Sequence, residues 1–227
     1  MKVGMLAPMQ PELEPIVRRL GLEADGDVHR GHAGDVEVVA MLTTIGYAGG
    51  EAAARRILEH GVDWVMVVGV AGGVDRTLEI GGVVIPEEIV DRATGTSYRP
   101  TPIAGVAARG IISCGDQLMS DPATIEGLAA KGVVAVEMES AAIAPVCDEA
   151  GIPWAAFRGI SDFAADGLVN DDIFAMTNPD GTAVPDAITR YLAEHPEQLE
   201  VLTQLGRDTA LATDNAAAAA IAACAAL

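Results

Sequence analysis

One apolar run strongly restricts the possible folds of this chain, because such a run has to be buried. Residues 64–70 are continuously apolar, and the glycine-rich segment Ala71-Gly72-Gly73 follows at once. A short apolar run bounded by turn residues is typical of a strand covered on both faces, as in a parallel sheet. We therefore predict that this run is a central strand and that it breaks sharply at Ala71-Gly72-Gly73.

Strand-like and helix-like segments alternate around this run. Further strands are predicted at residues 2–7, 36–43, 82–85, 110–114, 133–136 and 154–160, and helices at 11–20, 49–60, 121–131 and 139–150. Beyond Pro179 we expect two or three helices, split by Pro185, Pro196 and Gly206. The alternation predicts an α/β fold with a mixed, mostly parallel central sheet flanked by helices. We expect a single domain over residues 1–227, with a helical C-terminal segment at about 183–227.

Charge and cysteine content exclude several classes of function. The 227 residues carry a formal net charge of −19, which repels a polymer of phosphates, so we expect no nucleic-acid partner. The cysteines at 114, 147 and 224 are odd in number and have no ligand spacing, and we expect neither a metal nor a cofactor. The apolar N-terminus and the alanine-rich residues 216–227 are too short to span a membrane, which favours a cytoplasmic location.

Acidic residues follow three of the predicted strands. Glu12 comes after the first strand, Glu137 and Glu139 after the strand at 133–136, and Asp162 after the strand at 154–160. Ligands of open α/β sheets bind beyond the carboxyl ends of the strands. A buried acid costs several kcal/mol unless it is hydrogen-bonded or used. These acids therefore predict a functional site at that edge of the sheet.

Four segments at the strand ends resemble the purine nucleoside phosphorylase and uridine phosphorylase superfamily, and within it the methylthioadenosine/S-adenosylhomocysteine nucleosidases. They are Met9-Gln10-Pro11-Glu12, Gly69-Val70-Ala71-Gly72-Gly73, the VEMESAA segment at 136–142 and Arg158-Gly159-Ile160-Ser161-Asp162. Their order and approximate spacing match as well, and the VEMES and RGISD pair is quite specific. The resemblance implies a nucleoside phosphorylase-like fold, a purine nucleoside as substrate and a homodimer. For the dimer, the apolar residues 141–146 are the candidate shared face.

The resemblance implies that two carboxyl groups cleave the N-glycosidic bond. Asp162 would protonate N7 of the purine as the bond stretches, a kind of catalysis that typically contributes about 10²–10⁴-fold. Glu12 would activate water, and Arg158 would favour the ionised form of Glu12. From the residues alone, the alternative for Asp162 is an N-cap, and the alternative for Glu12 is a first-turn carboxylate that complements the helix dipole.

Other residues at the strand ends are expected to bind the nucleoside. Glu139 has acceptors for two ribose hydroxyls. Met138 would lie flat against the sugar, with plain core packing as the alternative. Glu137 is either a direct contact or a structural residue. Met9 and Ile45 match family positions near the 5′ end of the sugar, with core packing as the alternative. The remaining candidates are Val70, Ala71, Gly72, Gln117, Leu118, Met119 and Ser161.

Three departures from the family leave the base and the 5′ substituent open. Leu118 replaces an aromatic residue that stacks on the base, and Val70 replaces a small hydroxyl residue. Residues 93–98 stand where nucleosidases carry a longer insert that shapes the 5′ pocket. That stretch and the helical tail look more similar to branches that act on other nucleosides, such as futalosine or adenosylhopane.

Hydrolysis is favoured over phosphorolysis because the chain lacks the family's phosphate site. Phosphorylases place a glycine and an arginine after the first strand and an arginine before the central glycine turn. This chain has Pro8, Met9 and Glu12 at the former place and residues 66–68 at the latter. A carboxylate about 4 Å from a phosphate costs roughly 4 kcal/mol per unit charge at an effective dielectric of 20. Phosphorolysis is the first alternative, and a non-catalytic nucleoside-binding protein is the second.

Overall fold

The computed structural model describes residues 1–227 and has one sheet of eleven strands with helices on both faces. The strands are β1 (Lys2–Ala7), β2 (Glu23–Asp25), β3 (Val28–Ala33), β4 (Val36–Leu42), β5 (Trp64–Gly73), β6 (Val83–Val84), β7 (Glu88–Asp91), β8 (Ser97–Tyr98), β9 (Ile111–Cys114), β10 (Val133–Glu137) and β11 (Trp154–Phe163). The helices are α1 (Gln10–Leu20), α2 (Tyr47–Glu59), α3 (Pro122–Ala129), α4 (Ser140–Ala150), α5 (Asp171–Ala175), α6 (Pro185–Glu194) and α7 (Gln198–Ala223).

Strand β5 is the centre of the sheet, and the predicted mixed, mostly parallel α/β architecture is confirmed. The strand order is β2-β3-β4-β1-β5-β10-β9-β7-β8, and β11 pairs with β5 and β6. The prediction of a sharp break at Ala71-Gly72-Gly73 is wrong, because β5 continues to Gly73. Gly72 and Gly73 pair with β10 on one side and β11 on the other, so the two partner strands supply hydrogen-bond partners for their backbone N–H and C=O groups.

Two apolar layers hold the helices to the sheet. On one face α2 and α4 bury side chains such as Ile57 and Ile143, and on the other α1 and α7 bury Ile16 and Ala216. The apolar side chains at 141, 143, 144 and 146, expected to form a dimer face, are buried inside the chain. That expectation is wrong because α4 already packs against α2. Ile143 of α4 lies 3.4 Å from the position that a Cβ atom would take at Gly50 of α2.

Helix α7 runs unbroken through Gly206, so the predicted break there is wrong. A glycine inside a helix costs only about 1 kcal/mol relative to alanine, and tertiary packing offsets this. Beyond Gly206 the helix buries an alanine face against β5 and β11. At Gly159 of β11 a Cβ atom would overlap the carbonyl oxygen of Ala212. The alanine-rich residues 216–227, expected to be too short to cross a membrane, lie in a longer helical segment, Gln198–Ala226, which is long and apolar enough by length and composition alone. Of its most apolar 18 residues, 39% are buried inside the chain.

Candidate active site

A cavity of about 290 Å³ opens where the strands reach their carboxyl ends. Every residue predicted from the sequence lines it except Arg158, whose side chain is fully buried behind the wall. The predicted residues in the lining are Met9, Glu12, Ile45, Val70, Ala71, Gly72, Gln117, Leu118, Met119, Glu137, Met138, Glu139, Ser161 and Asp162. The fold thus brings together two ends of a stretch that runs from Met9 to Asp162 in the chain.

Glu12 lies in the first turn of α1, with a side chain that is 2% exposed. Its Oε2 accepts a hydrogen bond from the amide of Met9 at 2.7 Å, and its Oε1 accepts one from the amide of Val70 at 2.6 Å. The helix-capping role and the site role therefore coexist in one carboxyl group. The two amides fix its orientation at the wall of the cavity.

Arg158 is the cation around which three carboxyl groups gather. Its Nη2 donates to Glu137, to Oε2 of Glu139 at 3.3 Å and to the hydroxyl of Ser140 at 3.2 Å. Opposite it on β5 stands Gly69, where a Cβ atom would overlap both Arg158 and the carboxylate of Glu12. The first glycine of the GVAGG segment is thus required because the side chains of Glu12 and Arg158 occupy the space above it.

Glu137 and Glu139 differ in how many hydrogen bonds their carboxylate oxygens accept from the protein. Glu137 accepts from the amides of Glu139 and Ser140 at the start of α4 and from Arg158, so it fixes the strand-to-helix turn. Glu139 accepts from the amide of Gly46 at 3.0 Å and from Arg158. A carboxylate has about four lone-pair sites, so Glu139 keeps acceptor capacity toward the cavity.

Asp162 reaches the cavity through a β-bulge in β11. The pairing between β11 and β5 shifts by one residue between Ile160 and Asp162. In a regular strand, successive side chains point to opposite faces, whereas a bulge re-aims them. Both Ser161 and Asp162 therefore line the cavity. The hydroxyl of Ser161 donates to Oδ1 of Asp162 at 2.7 Å. Since Asp162 lies inside a strand, the N-cap alternative is wrong.

Burial raises the pKa of the acids in this cavity. Desolvation raises the pKa of Glu12 from 4.5 to about 8, against the attraction of Arg158 and with a further increase from Glu139. Desolvation also raises the pKa of Glu139 to about 7 and that of Asp162 above its ordinary value. Arg158 does favour the ionised form of Glu12, as expected, but burial outweighs it. The pKa values of Glu12 and Glu139 therefore both lie at or above neutral pH, because burial disfavours the charged form of a carboxyl group.

Two further groups of lining residues are apolar. Met119 packs against an apolar cluster that includes Val136 and Ala164, and these two residues flank Gly72 beside Asp162. Met9 and Ile45 form the other group, and the loop at 179–181 closes over it. The amide of Ile45 donates to the carbonyl of Pro179 at 2.9 Å, and a Cβ atom at Gly181 would overlap Met9.

Sequence reasoning missed the wall that covers the cavity. It comes from the segment after β11 and from α7, and includes Val169, Ile173, Phe174, Thr177, Gly181, Leu205 and Thr209. These residues belong to no recognisable motif, and only Phe174, as one of three phenylalanines in the chain, offered a signal. Arg92, which the sequence could not place, lines the cavity and donates to the carbonyl of Gln117 at 2.7 Å. Residues 93–98, which follow it, do not line the cavity.

Comparison with known proteins gives the relatives of this fold and site. The family model of the Phosphorylase superfamily matches residues 2–107 and 104–193. The 5′-methylthioadenosine/S-adenosylhomocysteine nucleosidase of Tolumonas auensis is 30% identical, over 72% of this chain and 87% of that protein. The nucleosidase of the same name from Geobacillus kaustophilus is 29% identical, over 73% and 86%.

Two solved structures show the same fold over the whole chain. Futalosine hydrolase of Helicobacter pylori has a TM-score of 0.74 at 21% identity, covering 100% of this chain and 98% of that one. The 5′-methylthioadenosine/S-adenosylhomocysteine nucleosidase of Neisseria meningitidis, in complex with methylthio-immucillin-A, has a TM-score of 0.74 at 22% identity, covering 100% and 99%. Sequence, fold and cavity agree: the chain belongs to the phosphorylase superfamily and groups there with the 5′-methylthioadenosine/S-adenosylhomocysteine nucleosidases.

Proposed function

We propose that this protein hydrolyses the N-glycosidic bond of a purine nucleoside with a 5′ substituent, such as 5′-methylthioadenosine or S-adenosylhomocysteine. Relatives named as nucleosidases, at about 30% identity over most of the chain, support this substrate class. A fold neighbour named as futalosine hydrolase leaves a related nucleoside as an alternative. The observation that carries the proposal is the meeting of Glu12 and Asp162 at the wall of one cavity.

In the proposed reaction the two carboxyl groups have opposite duties. Asp162, whose raised pKa helps it to hold a proton, donates that proton to N7 of the purine. The C1′–N9 bond breaks, and its electron pair leaves with the neutral base. Ionised Glu12 takes a proton from water as the water oxygen bonds to C1′. Asp162 has then lost one proton and Glu12 has gained one, and exchange with solvent restores both.

The remaining residues of the cavity position the nucleoside in this proposal. Glu139 accepts the ribose hydroxyls beside Met138, while Glu137 is a positioning residue because its oxygens are engaged by Arg158 and by the start of α4. Met9 and Ile45 contact the 5′ substituent. Gln117, Leu118 and Met119 lie beside the purine base, and residues 70–72 form the floor of the cavity. Ser161 orients Asp162 through its hydroxyl group.

Water is the proposed nucleophile because the cavity repels a phosphate ion. Four acidic residues line it (Glu12, Glu137, Glu139 and Asp162), and Arg92 is the one cationic residue in the lining. Arg158 is already surrounded by carboxyl groups. One carboxylate about 4 Å from phosphate costs roughly 4 kcal/mol at a dielectric of 20, close to a thousandfold in binding.

The test is a panel of 5′-substituted purine nucleosides, assayed for released base with and without inorganic phosphate. We expect base release that phosphate does not accelerate, with the free sugar as the second product. Formation of a ribose 1-phosphate would establish phosphorolysis instead. Absence of base release across the panel, with nucleoside binding retained, would favour the non-catalytic alternative.

Three further properties belong to the same proposal. We expect a homodimer, from the family resemblance, that uses a face other than residues 141–146. Sedimentation of the purified protein tests this. A cytoplasmic location is supported by three free, buried cysteines and is tested by cell fractionation. A single domain over residues 1–227 is supported by the packing of α7 on β5 and β11, and predicts one cooperative unfolding transition.

A further inference from the structure

A second and larger cavity, of about 650 Å³, lies next to the first between α1, α6 and α7. We call it the helix groove, and its apolar wall includes Pro15, Ile188, Leu192, Leu199, Leu202 and Leu205. The two cavities share Pro11, Ile173, Thr177, Gly181, Leu205 and Thr209 in their walls. The helix groove is therefore a continuation of the nucleoside cavity.

The connection lies on the side of the cavity that faces Met9. Gly181, which belongs to both walls, packs directly on Met9, and the same loop is hydrogen-bonded to Ile45 through Pro179. Asp162 and the residues around it do not line the helix groove. A nucleoside with its base beside Asp162 would thus direct its 5′ substituent, past Met9, into the groove.

Apart from four threonines, two glycines and two charged residues, the wall of the groove is apolar. Glu14 and Arg18 are the charged residues in its wall, and Arg18 is engaged with Asp214 at 2.7 Å. Helix α6 has no buried residue, and Leu199 at the rim is 58% exposed. The other apolar side chains of the groove, such as Ile188 and Leu192, are only partly covered within the chain, so an apolar ligand would gain free energy by covering them.

The length of the groove indicates the size of the substituent. Its wall on α7 extends from Leu199 to Thr213. At a rise of 1.5 Å per residue this is about 20 Å. A methylthio group would fill only the entrance.

We infer that the helix groove is an extended subsite for a long apolar 5′ substituent, so that the preferred substrates are purine nucleosides with a hydrocarbon chain at the 5′ position. This inference rests on the proposed function for the orientation of the nucleoside. The groove therefore binds the 5′ substituent of the substrate and not a second copy of the chain.

The experiment compares 5′-methylthio-, 5′-butylthio- and 5′-octylthioadenosine with S-adenosylhomocysteine, whose 5′ substituent is charged. A buried methylene contributes about 0.8 kcal/mol, or nearly fourfold. Since ordering the chain opposes this gain, we expect the octyl compound to bind about 10- to 100-fold more tightly than the butyl compound. Dissociation constants are measured by calorimetry on Asp162→Asn, and KM and kcat on the unaltered protein.

A blocking variant locates the effect. Gly206 lies on the groove side of α7, and nothing is within 4 Å of the position its Cβ would take. Gly206→Phe should therefore fill the groove without a clash. We expect it to remove the octyl advantage and to leave the methylthio compound within about twofold. Gly127→Phe in α3, equally unobstructed, is the matched control for a phenylalanine replacing a helical glycine.

A second pair of variants keeps the test valid if Gly206→Phe does not fold. Leu199→Ser removes an apolar side chain from the groove rim, whereas Leu211→Ser removes one of similar exposure, 48%, elsewhere on α7. We expect only the former to weaken octyl binding, by about threefold to tenfold.

Binding decides this inference, and base release decides the proposed function. Equal dissociation constants across the chain-length series would overturn the extended subsite, even with all compounds hydrolysed. Tighter octyl binding without base release would uphold the subsite and refute the hydrolase. Dissociation of a dimer by Gly206→Phe, with no dependence on chain length, would assign the groove to a second copy of the chain and overturn the inference.

Discussion

Replacement of Glu12 by glutamine should change how the stability of the protein depends on pH. Because burial raises the pKa of Glu12 to about 8, the folded chain binds this proton more tightly than the unfolded chain. Its contribution to stability is fully present below pH 4.5 and is lost as the pH rises toward 8. Glu12→Gln has no such proton and should not show this loss.

The size of the effect follows from the two pKa values. The interval between 4.5 and about 8, at 1.36 kcal/mol per pKa unit, corresponds to about 5 kcal/mol in total. Between pH 5 and pH 9 we expect about 4 kcal/mol of it. In Glu12→Gln, the NH2 group of the side-chain amide faces one of the two backbone N–H donors, that of Met9 or that of Val70. This donor then has no acceptor, and its loss destabilises the variant by about 1–3 kcal/mol at every pH. That penalty cancels when the pH dependence is compared.

The assay is urea unfolding of the original protein and of Glu12→Gln at several values between pH 5 and pH 9. The free energy of unfolding of the original protein should fall relative to that of the variant by about 4 kcal/mol over this range. Glu14→Gln is the matched control, since Glu14 is an exposed residue of the same helix. Parallel curves for the original protein and Glu12→Gln would refute the reasoning, because they would mean that burial does not raise the pKa of Glu12.

Three other predictions follow from the site. Asp162→Asn should lower kcat at least about a hundredfold and leave nucleoside affinity within a few fold, because the acid is removed and its shape kept; a retained kcat would contradict the role of Asp162. Gly69→Ala should inactivate the protein and destabilise it by several kcal/mol in thermal unfolding, because the new Cβ atom would overlap Glu12 and Arg158. In the same measurement the control Gly127→Ala should be neutral or stabilising by up to about 1 kcal/mol. As the base, Glu12 should make kcat/KM rise by up to about tenfold per pH unit from pH 6 toward pH 8; a flat profile there would argue against it.

The core of the fold could be predicted from the sequence because its signals are local and strong. The apolar run at 64–70 and the periodic helices along the first 160 residues identify the layers. The hairpin of β2 and β3 was missed because every residue of β2 is exposed, so the strand has no apolar alternation. The strand end at 71–73 was misjudged because β10 and β11 supply hydrogen bonds that local propensity does not reveal.

The candidate site was predictable only where its residues belong to contiguous motifs. Glu12, Glu139 and Asp162 stand in such motifs and line one cavity. The cover from the C-terminal part was not predictable, because Phe174 and Leu205 meet the cavity through tertiary packing alone. The raised pKa of Glu12 also depends on burial, which a sequence position beside a strand does not report.

The close approach of α7 to the sheet has a consequence for synthesis of the chain. Ala212 lies against the backbone of β11 at Gly159, and the alanine face beyond it covers β5. All strands emerge from the ribosome before this last helix does. Until α7 has been synthesised, the nascent polypeptide displays an uncovered apolar sheet surface. A premature stop within α7 would therefore yield a product prone to aggregation rather than a shortened enzyme.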